Sequence, residues 1–379
     1  MRAARRGCVV LGAFSFGCGG PGRATPEAAG CPSRDAVWAS SDYSSSAVGA
    51  FALSGAVSTG AATVDLGADP VLAVSRGRAF YVARDLGTIF ELDAPCGRPT
   101  SRWTLPRDAR GGSPNPYDVA VASDGSVWVP LYDAAAVAVL TPQGQVATRI
   151  DLSTFDPDGN PDASAISIVD TPAGEKAFVA LERLDEPNGF SADRDSWMLR
   201  IDVPTRAVET HVVLAGRNPF QMIAGGGGVL WLADPGNFDA ADEAFGGVER
   251  FDTATSTSTL VVTEAALGGS VDEVGVSGGC AVAIVADATA NVNATSLVTF
   301  DAATGAPIAP ASASPLSTPG FDLEGLAWFG GEVAVGDRRR AASGFPVHAF
   351  DVDSGCRATA RPDAVFLPLP PVDLRAIPR

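Results

Sequence analysis

The sequence Pro371-Val372-Asp373-Leu374-Arg375-Ala376-Ile377-Pro378-Arg379 decides how the fold closes. It matches the opening of an internal repeat whose other copies continue for about fifty residues. Similar openings occur at three earlier positions, namely Pro116-Tyr117-Asp118-Val119-Ala120-Val121, Pro219-Phe220-Gln221-Met222-Ile223-Ala224 and Phe321-Asp322-Leu323-Glu324-Gly325-Leu326. A repeat therefore begins where the chain ends, whereas the first unit near the N-terminus lacks the matching strand. We expect these two parts to complete one unit and to close a ring.

Short strands of alternating apolar and polar residues, separated by Gly, Asp, Pro or Asn turns, fill most of the chain. The first unit has strands near residues 36–41, 47–53 and 60–66. The other units cover residues 70–105, 116–151, 164–214, 219–263, 270–310 and 321–367. Four strands per unit, repeated seven times, predict an all-β fold, a seven-bladed β-propeller of four-stranded antiparallel blades over residues 36–379. The C-terminal strand is predicted to pair with the N-terminal blade.

The repeat pattern resembles that of YVTN/NHL-type bacterial propellers, whose units read Pro-x-Asp-x-Ala-Val…Asp-Gly…Tyr/Trp-Val…Asp-x-x-Thr-Gly. Units three and five match this pattern best, for example at Ser126-Val127-Trp128-Val129 and Gly228-Val229-Leu230-Trp231. The arrangement is also similar to lipid-anchored envelope propellers of unassigned function in Gram-negative bacteria. The resemblance implies a fold and a location, and it implies no particular chemistry.

The N-terminus has the features of an export signal. Three arginines precede a short apolar stretch at residues 7–17, which is too short to span a bilayer. Ser15-Phe16-Gly17-Cys18 resembles the end of a bacterial lipoprotein signal, in which the cysteine is lipidated after cleavage. We expect a signal over residues 1–18 ending at the candidate lipidated Cys18, a linker over 19–35, and an exported lipoprotein of the outer membrane or cell surface. A soluble periplasmic or secreted protein is the alternative.

The charge balance restricts the class of partner. The chain has 44 acidic and 27 basic residues, a formal net charge of −17. Nucleic acids and anionic lipid surfaces are bound through clustered cations, so we expect neither as a partner, and membrane contact only through the lipid anchor. The acidic balance favours a cationic partner, either a protein or a small ligand. We expect a monomer.

Four cysteines remain after the predicted signal: Cys31, Cys96, Cys280 and Cys356. An even number of cysteines in an exported chain suggests disulfides. Cys31 and Cys280 fall at turns between first and second strands, and Cys96 and Cys356 fall at turns between third and fourth strands. These turns share one face of a propeller, so the predicted pairs are Cys31–Cys96 and Cys280–Cys356. Free buried thiols are the alternative.

One loop between units three and four has the ligand spacing of a calcium loop. Asp156, Asp158, Asn160 and Asp162 alternate along it, and hard cations bind several carboxylate and carbonyl oxygens. The loop departs from the EF-hand pattern because Pro161 stands where glycine is expected. Calcium is the candidate ion, no other cofactor is expected, and a solvated turn is the alternative.

Long acidic loops in units four and five are predicted to lie beside this loop, on the face opposite the cysteines. Loops on a rigid scaffold commonly carry binding residues. We interpret seven acidic side chains of these loops as a recognition surface: Asp185, Glu186, Asp193, Asp195, Asp239, Asp242 and Glu243.

A ring of polar side chains is predicted at the mouth of the central channel. Its members come from the aligned first strands: Asp118, Gln221, Asp272, Asp322, Glu324 and Asp373, with Glu273 close by. Such a ring can bind a cation or a sugar-like ligand; alternatively, each Asp accepts backbone N–H bonds at an inter-unit turn. The segment Phe321–Gly325, with Asp337, is also faintly similar to the metal-binding Glu-Gly segment of gluconolactonase-like propellers.

Several common catalytic motifs are missing from the sequence. The chain has two histidines, His211 and His348, so no His/Cys cluster supports zinc or haem. No Gly-rich phosphate loop occurs in the sequence. The leading hypothesis is a non-enzymatic binding propeller of the cell envelope that uses the acidic loops. A metal-dependent hydrolase or lactonase at the channel-mouth carboxylates and a structural surface spacer are the alternatives.

Overall fold

The computed structural model describes residues 35–53, 57–59, 63–107, 111–238, 244–289 and 292–377. The predicted signal with Cys18, and all of the linker before residue 35, lie outside these residues. The described chain is almost entirely β-structure. No helix within it is both long enough and apolar enough to cross a membrane.

The first three blades follow one another along the chain. Blade one takes β1 (Ala36–Ser41), β2 (Ser46–Phe51) and β3 (Val57–Thr59) from the N-terminal part. Blade two contains β4 (Pro70–Ser75), β5 (Arg78–Ala83), β6 (Thr88–Asp93) and β7 (Arg98–Thr104). Blade three contains β8 (Ala120–Val121), β9 (Val127–Leu131), β10 (Ala136–Leu140) and β11 (Val146–Asp151).

The remaining blades repeat the same antiparallel order. Blade four contains β12 (Ala163–Thr171), β13 (Gly174–Leu181), β14 (Trp197–Asp202) and β15 (Val208–Val213). Blade five contains β16 (Gln221–Gly226), β17 (Val229–Asp234), β18 (Gly247–Asp252) and β19 (Thr257–Thr263). Blade six contains β20 (Ser270–Ser277), β21 (Cys280–Thr289), β22 (Val292–Asp301), β23 (Pro307–Ala309) and β24 (Leu316–Pro319). Blade seven contains β25 (Leu323–Trp328), β26 (Glu332–Asp337), β27 (Phe345–Val352) and β28 (Ala358–Leu367).

Short helical turns lie in the connections. The α-helix α1 spans Glu264–Leu267, and the 3-10 turns of the described chain are Val64–Leu66, Tyr132–Ala134, Ser153–Phe155, Glu186–Asn188 and Ala311–Ala313. Two details differ from the sequence expectation. The outer strand of blade one is β3, before the predicted 60–66, and blade six gains a fifth strand because β24 pairs with β22.

The C-terminal strand β29 (Pro371–Ala376) closes the ring. The sheet order of blade one is β29-β1-β2-β3, and the antiparallel register sets Trp38 opposite Leu374. Both of these side chains are fully buried. The predicted seven-bladed propeller and its closure are therefore confirmed.

Apolar side chains of the middle strands fill the space between blades. Trp128, Phe178 and Phe251 are among the largest side chains with essentially no exposed surface, and burying each such side chain stabilises the fold by about 1.5–3 kcal/mol. Gly144, at φ 80°, allows Trp103 of blade two to pack against blade three, because a Cβ there would lie 2.1 Å from the indole ring.

A disulfide between Cys280 and Cys356 joins blades six and seven, with their Cα atoms 5.2 Å apart. Cys280 begins β21, and Cys356 lies in the turn between β27 and β28. The sequence prediction of this pair is confirmed. Cys96 is also disulfide-bonded, but Cys31 lies outside the described residues, so the Cys31–Cys96 pairing stays a prediction.

Candidate ligand-binding channel

The inner strands of the blades surround a channel of about 780 Å³. This volume lies within the range of small-molecule sites, roughly 300–1,000 Å³. Each inner strand begins at the face that carries the loops between second and third strands, which we call the mouth face. Six carboxyl side chains near the strand starts line the channel. One of them, Asp69, lies 3.5 Å from the Arg84 guanidinium. We call the other five the carboxylate band: Asp118, Asp272, Glu273, Glu324 and Asp373.

Four polar side chains hold neighbouring blades together at this level. Each accepts backbone N–H groups from the inner strand of the next blade, and we call them the blade clasps. The pairs are Asp118 with Ile166 (2.9 Å), Gln221 with Val274 (2.8 Å), Glu273 with Gly325 (2.6 Å) and Leu326 (3.0 Å), and Asp373 with Leu72 (2.7 Å). Backbone hydrogen bonding, the alternative raised from the sequence, is thus present, although it bridges blades rather than capping turns.

A β-bulge separates Asp272 from the blade clasps. The register of β20 against β21 shifts between Val271 and Glu273, so Asp272 is the extra residue of the bulge. The sequence aligned Asp272 with Asp118, but Glu273 makes the equivalent bond. Asp272 is half-buried and lines the channel, and no group of the described chain donates a hydrogen bond to it.

The other two predicted members of the ring lie at blade seven. Asp322 does not line the channel; its main-chain carbonyl accepts the Arg338 N–H. Glu324 lines the channel and is paired with the Arg338 guanidinium. Of these two carboxylates, only Glu324 therefore lines the channel.

Burial makes the carboxylate band easy to protonate. Loss of solvent raises the pKa of Asp118 to about 6, of Asp272 and Glu324 to about 7, and of Glu273 to about 8. Desolvation disfavours the charged form of a carboxyl group. A bound cation would favour the charged forms, so the band gains charge when it binds one.

Two arginines partly compensate the band. The Arg375 guanidinium lies 3.1 Å from Asp373. Burial alone would lower the pKa of Arg375, but the carboxylates of Asp373, Glu273 and Asp118 raise it. Arg338 is the second arginine and also donates to the Tyr43 hydroxyl at 3.0 Å. A third arginine of the channel lining, Arg84, pairs with Asp69. The five carboxyl groups of the band therefore have two arginine partners, and the band is acidic.

Aromatic rings surround the mouth, four of them exposed, and sequence reasoning missed them. The fifth, Tyr117, is half-buried, and Arg84 lies over its ring at 3.9 Å. This aromatic rim consists of Tyr43, Tyr117, Phe220, Phe238 and Phe321. Tyr43 is 59% exposed and Phe321 53% exposed. Phe220 makes edge-to-face contacts with Tyr117 and Phe238, at centroid distances of 6.1 and 5.7 Å. The sequence did carry a signal, because an aromatic residue stands at the start of three aligned repeat openings.

An arginine lies among the carboxylates of the candidate calcium loop. Arg194 lies 2.7 Å from Asp156, 2.9 Å from Asp158 and 3.1 Å from Asp185. The Asp156 side chain is fully buried and also contacts Arg183 at 3.2 Å. Arg194 therefore supplies positive charge at the place where the sequence predicted a calcium ion.

The remaining members of that loop are also engaged. Asn160 donates to Asp162 at 3.0 Å and to Glu186 at 2.9 Å, and the buried Asp162 accepts the Leu184 N–H at 2.9 Å. Within the described chain no group of three or more His, Cys, Asp or Glu side chains is placed to hold a metal ion. Calcium at this loop stays a prediction that chelation can test.

The predicted acidic recognition surface is only partly described. Asp195 pairs with Arg217 at 3.1 Å, and Asp193 accepts the Ser191 hydroxyl at 2.8 Å. Three further predicted members lie outside the described residues: Asp239, Asp242 and Glu243. Among the described residues of this surface, Asp185 therefore pairs with Arg194, and Asp195 pairs with Arg217.

Both histidines have neighbours that fix them. The His211 ring stacks on Trp197 at a centroid distance of 4.0 Å. His348 Nε2 lies 3.1 Å from Asp337, which also accepts from Arg339 at 2.8 Å. Asp337 does not line the channel beside Glu324, so the gluconolactonase-like pair suggested by the sequence is not assembled in the channel wall.

No protein-family model matches the chain, and no curated protein matches it. Solved structures do resemble it. A 6-phosphogluconolactonase-like protein of Bacteroides uniformis is 12% identical with a TM-score of 0.55, over 91% of this chain and 100% of that one. U3-55K is 14% identical with a TM-score of 0.53, over 80% of this chain and 84% of that one. The RRP9 WD40 repeats are 14% identical with a TM-score of 0.51, over 80% and 82%. At these identities the likeness supports the propeller fold alone.

Proposed function

We propose that the protein is a binding propeller whose site is the mouth half of the channel and whose ligand is a small organic cation. The observation that carries this proposal is the acidic band beneath an exposed aromatic rim. Carboxylates attract ammonium and guanidinium groups, and aromatic faces attract the same groups through cation–π contacts. Asp272 is the anchoring carboxylate, since it faces the channel without a protein donor.

The channel fits this role better than the acidic loops of blades four and five and the neighbouring candidate calcium loop do. Asp156, Asp158 and Asp185 already share Arg194, so a cationic partner there would have to replace an internal ion pair. Asp272 offers a carboxylate with no such competitor. We therefore propose that cations are recognised at the channel and that these acidic loops are mainly structural.

We also propose that the protein works in the cell envelope, as an exported lipoprotein modified at Cys18. The supporting observation is the Cys280–Cys356 disulfide, because disulfides persist in oxidising compartments such as the periplasm and the cell surface. Metabolic labelling with a palmitate analogue tests the lipid. Labelling that disappears in Cys18→Ser supports it, and an unlabelled wild-type protein contradicts it.

Isothermal titration with propylamine, tetramethylammonium and propionate tests the binding function. We expect both cations to bind and the anion not to bind. Asp272→Asn should weaken the binding of both cations by about 10–100-fold, the range expected for the loss of one charge-assisted contact. Asp322→Asn is the matched control, since this neighbouring carboxylate does not line the channel. Equal losses in the two variants, or no cation binding, would overturn the proposal.

Catalysis at the same carboxylates is the second candidate. Burial raises the pKa of Asp272 to about 7, the range in which a carboxyl group can exchange a proton at neutral pH. The metal-dependent form, which the sequence raised as an alternative, needs converging ligands, and the described residues contain no such set. We rank binding first for that reason. Turnover of a lactone panel that stops in Asp272→Asn would reverse the ranking.

A further inference from the structure

The lower half of the channel is lined by apolar side chains. Six blades each contribute one half-buried apolar residue near the end of the inner strand, and we call this set the apolar wall: Val74, Ile168, Ile223, Val276, Trp328 and Ala376. The arrangement has the symmetry of the repeat. It therefore continues around most of the channel rather than forming an isolated patch.

The apolar wall lies beyond the carboxylate band when the channel is entered from the mouth. Ile223 follows Gln221 by two residues, and Val276 follows Glu273 by three. A strand rises about 3.3 Å per residue, so the wall begins about 7–10 Å below the band. Ser167, beside Ile168, also lines the channel, and charged groups return at the far end, where Arg76 pairs with Asp170 at 3.3 Å.

We infer that the ligand is an amphiphilic monocation, whose charged group binds the carboxylate band and whose alkyl or aryl chain lies along the apolar wall. This inference rests on the proposed function and specifies its ligand class. A hydrocarbon chain gains by leaving water for the apolar wall. A second charge within the apolar wall would lose its hydration without a carboxylate at that level, and Asp170 at the far end already pairs with Arg76.

The inference is tested by calorimetric titration of propylamine, pentylamine, heptylamine and 1,5-diaminopentane. We expect each added methylene to tighten binding by about fourfold, and 1,5-diaminopentane to bind more weakly than pentylamine. Binding that does not change with chain length, or a diamine that binds more tightly, would overturn this inference while leaving cation binding intact. If no amine binds, the proposed function fails as well.

A double variant of the apolar wall tests whether the alkyl chain of the ligand binds there. Val74→Thr with Val276→Thr keeps the side-chain shape but replaces one methyl group by a hydroxyl at each position. We expect this double variant to lose about tenfold in heptylamine affinity and to bind propylamine as the wild type does. Equal heptylamine affinities would place the chain elsewhere and overturn the inference. Should the variant fail to fold, the wild-type series alone still decides.

Discussion

Two adjacent residues of the carboxylate band, Asp272 and Glu273, have different roles, because Glu273 holds blades six and seven together whereas Asp272 is the proposed anchor of the ligand. Glu273 accepts the N–H groups of Gly325 and Leu326 at 2.6 and 3.0 Å, both within buried backbone. Glu273→Ala leaves these two donors without a partner, at about 1–3 kcal/mol each and about 4 kcal/mol together. Asp272→Asn removes no hydrogen bond of the described chain and reduces repulsion with Glu273.

The expected melting shift follows from the size of the domain. With an unfolding entropy of about 2.1 cal/mol/K per residue and about 340 residues, 4 kcal/mol corresponds to a fall of about 6 °C. Differential scanning calorimetry at pH 7 should show this fall for Glu273→Ala and a change below about 1 °C for Asp272→Asn. Titration with pentylamine should show weaker binding for Asp272→Asn. An unchanged melting temperature in Glu273→Ala, or equal falls in both variants, would refute the assignment of clasp and site.

Three further predictions concern closure, the arginine-bridged loop and pH. Deleting residues 371–379 removes the inner strand of blade one and exposes an unpaired edge, so thermal melting should show loss of the cooperative transition; an unchanged melt would contradict closure. Arg194→Ala should cost about 3 kcal/mol by leaving the buried Asp156 without this partner, and added calcium should restore part of the loss. EDTA should leave the wild-type melting temperature unchanged, and a fall on chelation would favour the calcium ion. Since burial raises the pKa of Asp118 to about 6 and of Glu273 to about 8, the native protein binds protons that the unfolded chain has released above about pH 4. The melting temperature should therefore fall between pH 5 and 8, while cation binding strengthens; a rising melting temperature would contradict these pKa directions.

The architecture was predictable because it depends on periodicity and on complementary chain ends. Residues 371–377 repeat an inner-strand pattern, and the missing partner could only be the N-terminal unit. The Cys280–Cys356 bridge followed from the same argument, since equivalent turns of successive blades lie on one face. Both inferences rest on the order of elements and not on side-chain detail.

The candidate site was predicted only in part because single-residue shifts decide which side chain faces the channel. A bulge at Asp272 moves the clasp to Glu273, and periodicity cannot place such an insertion. Arg194 illustrates a second limit. Its contacts with Asp156 and Asp185 join residues 38 and 9 positions away, and loop composition alone suggested free acidity. The rings of the aromatic rim likewise come from separate blades, so only the folded chain brings them together.

A crystal structure of the protein with pentylamine is the most direct test of the account. We predict that the ammonium nitrogen lies within about 3 Å of a carboxylate oxygen of Asp272 or Glu324, with the pentyl chain directed toward Ile223 and Val276. An amine bound at the loop that contains Asp185 and Asp195, with the channel filled by water alone, would contradict it.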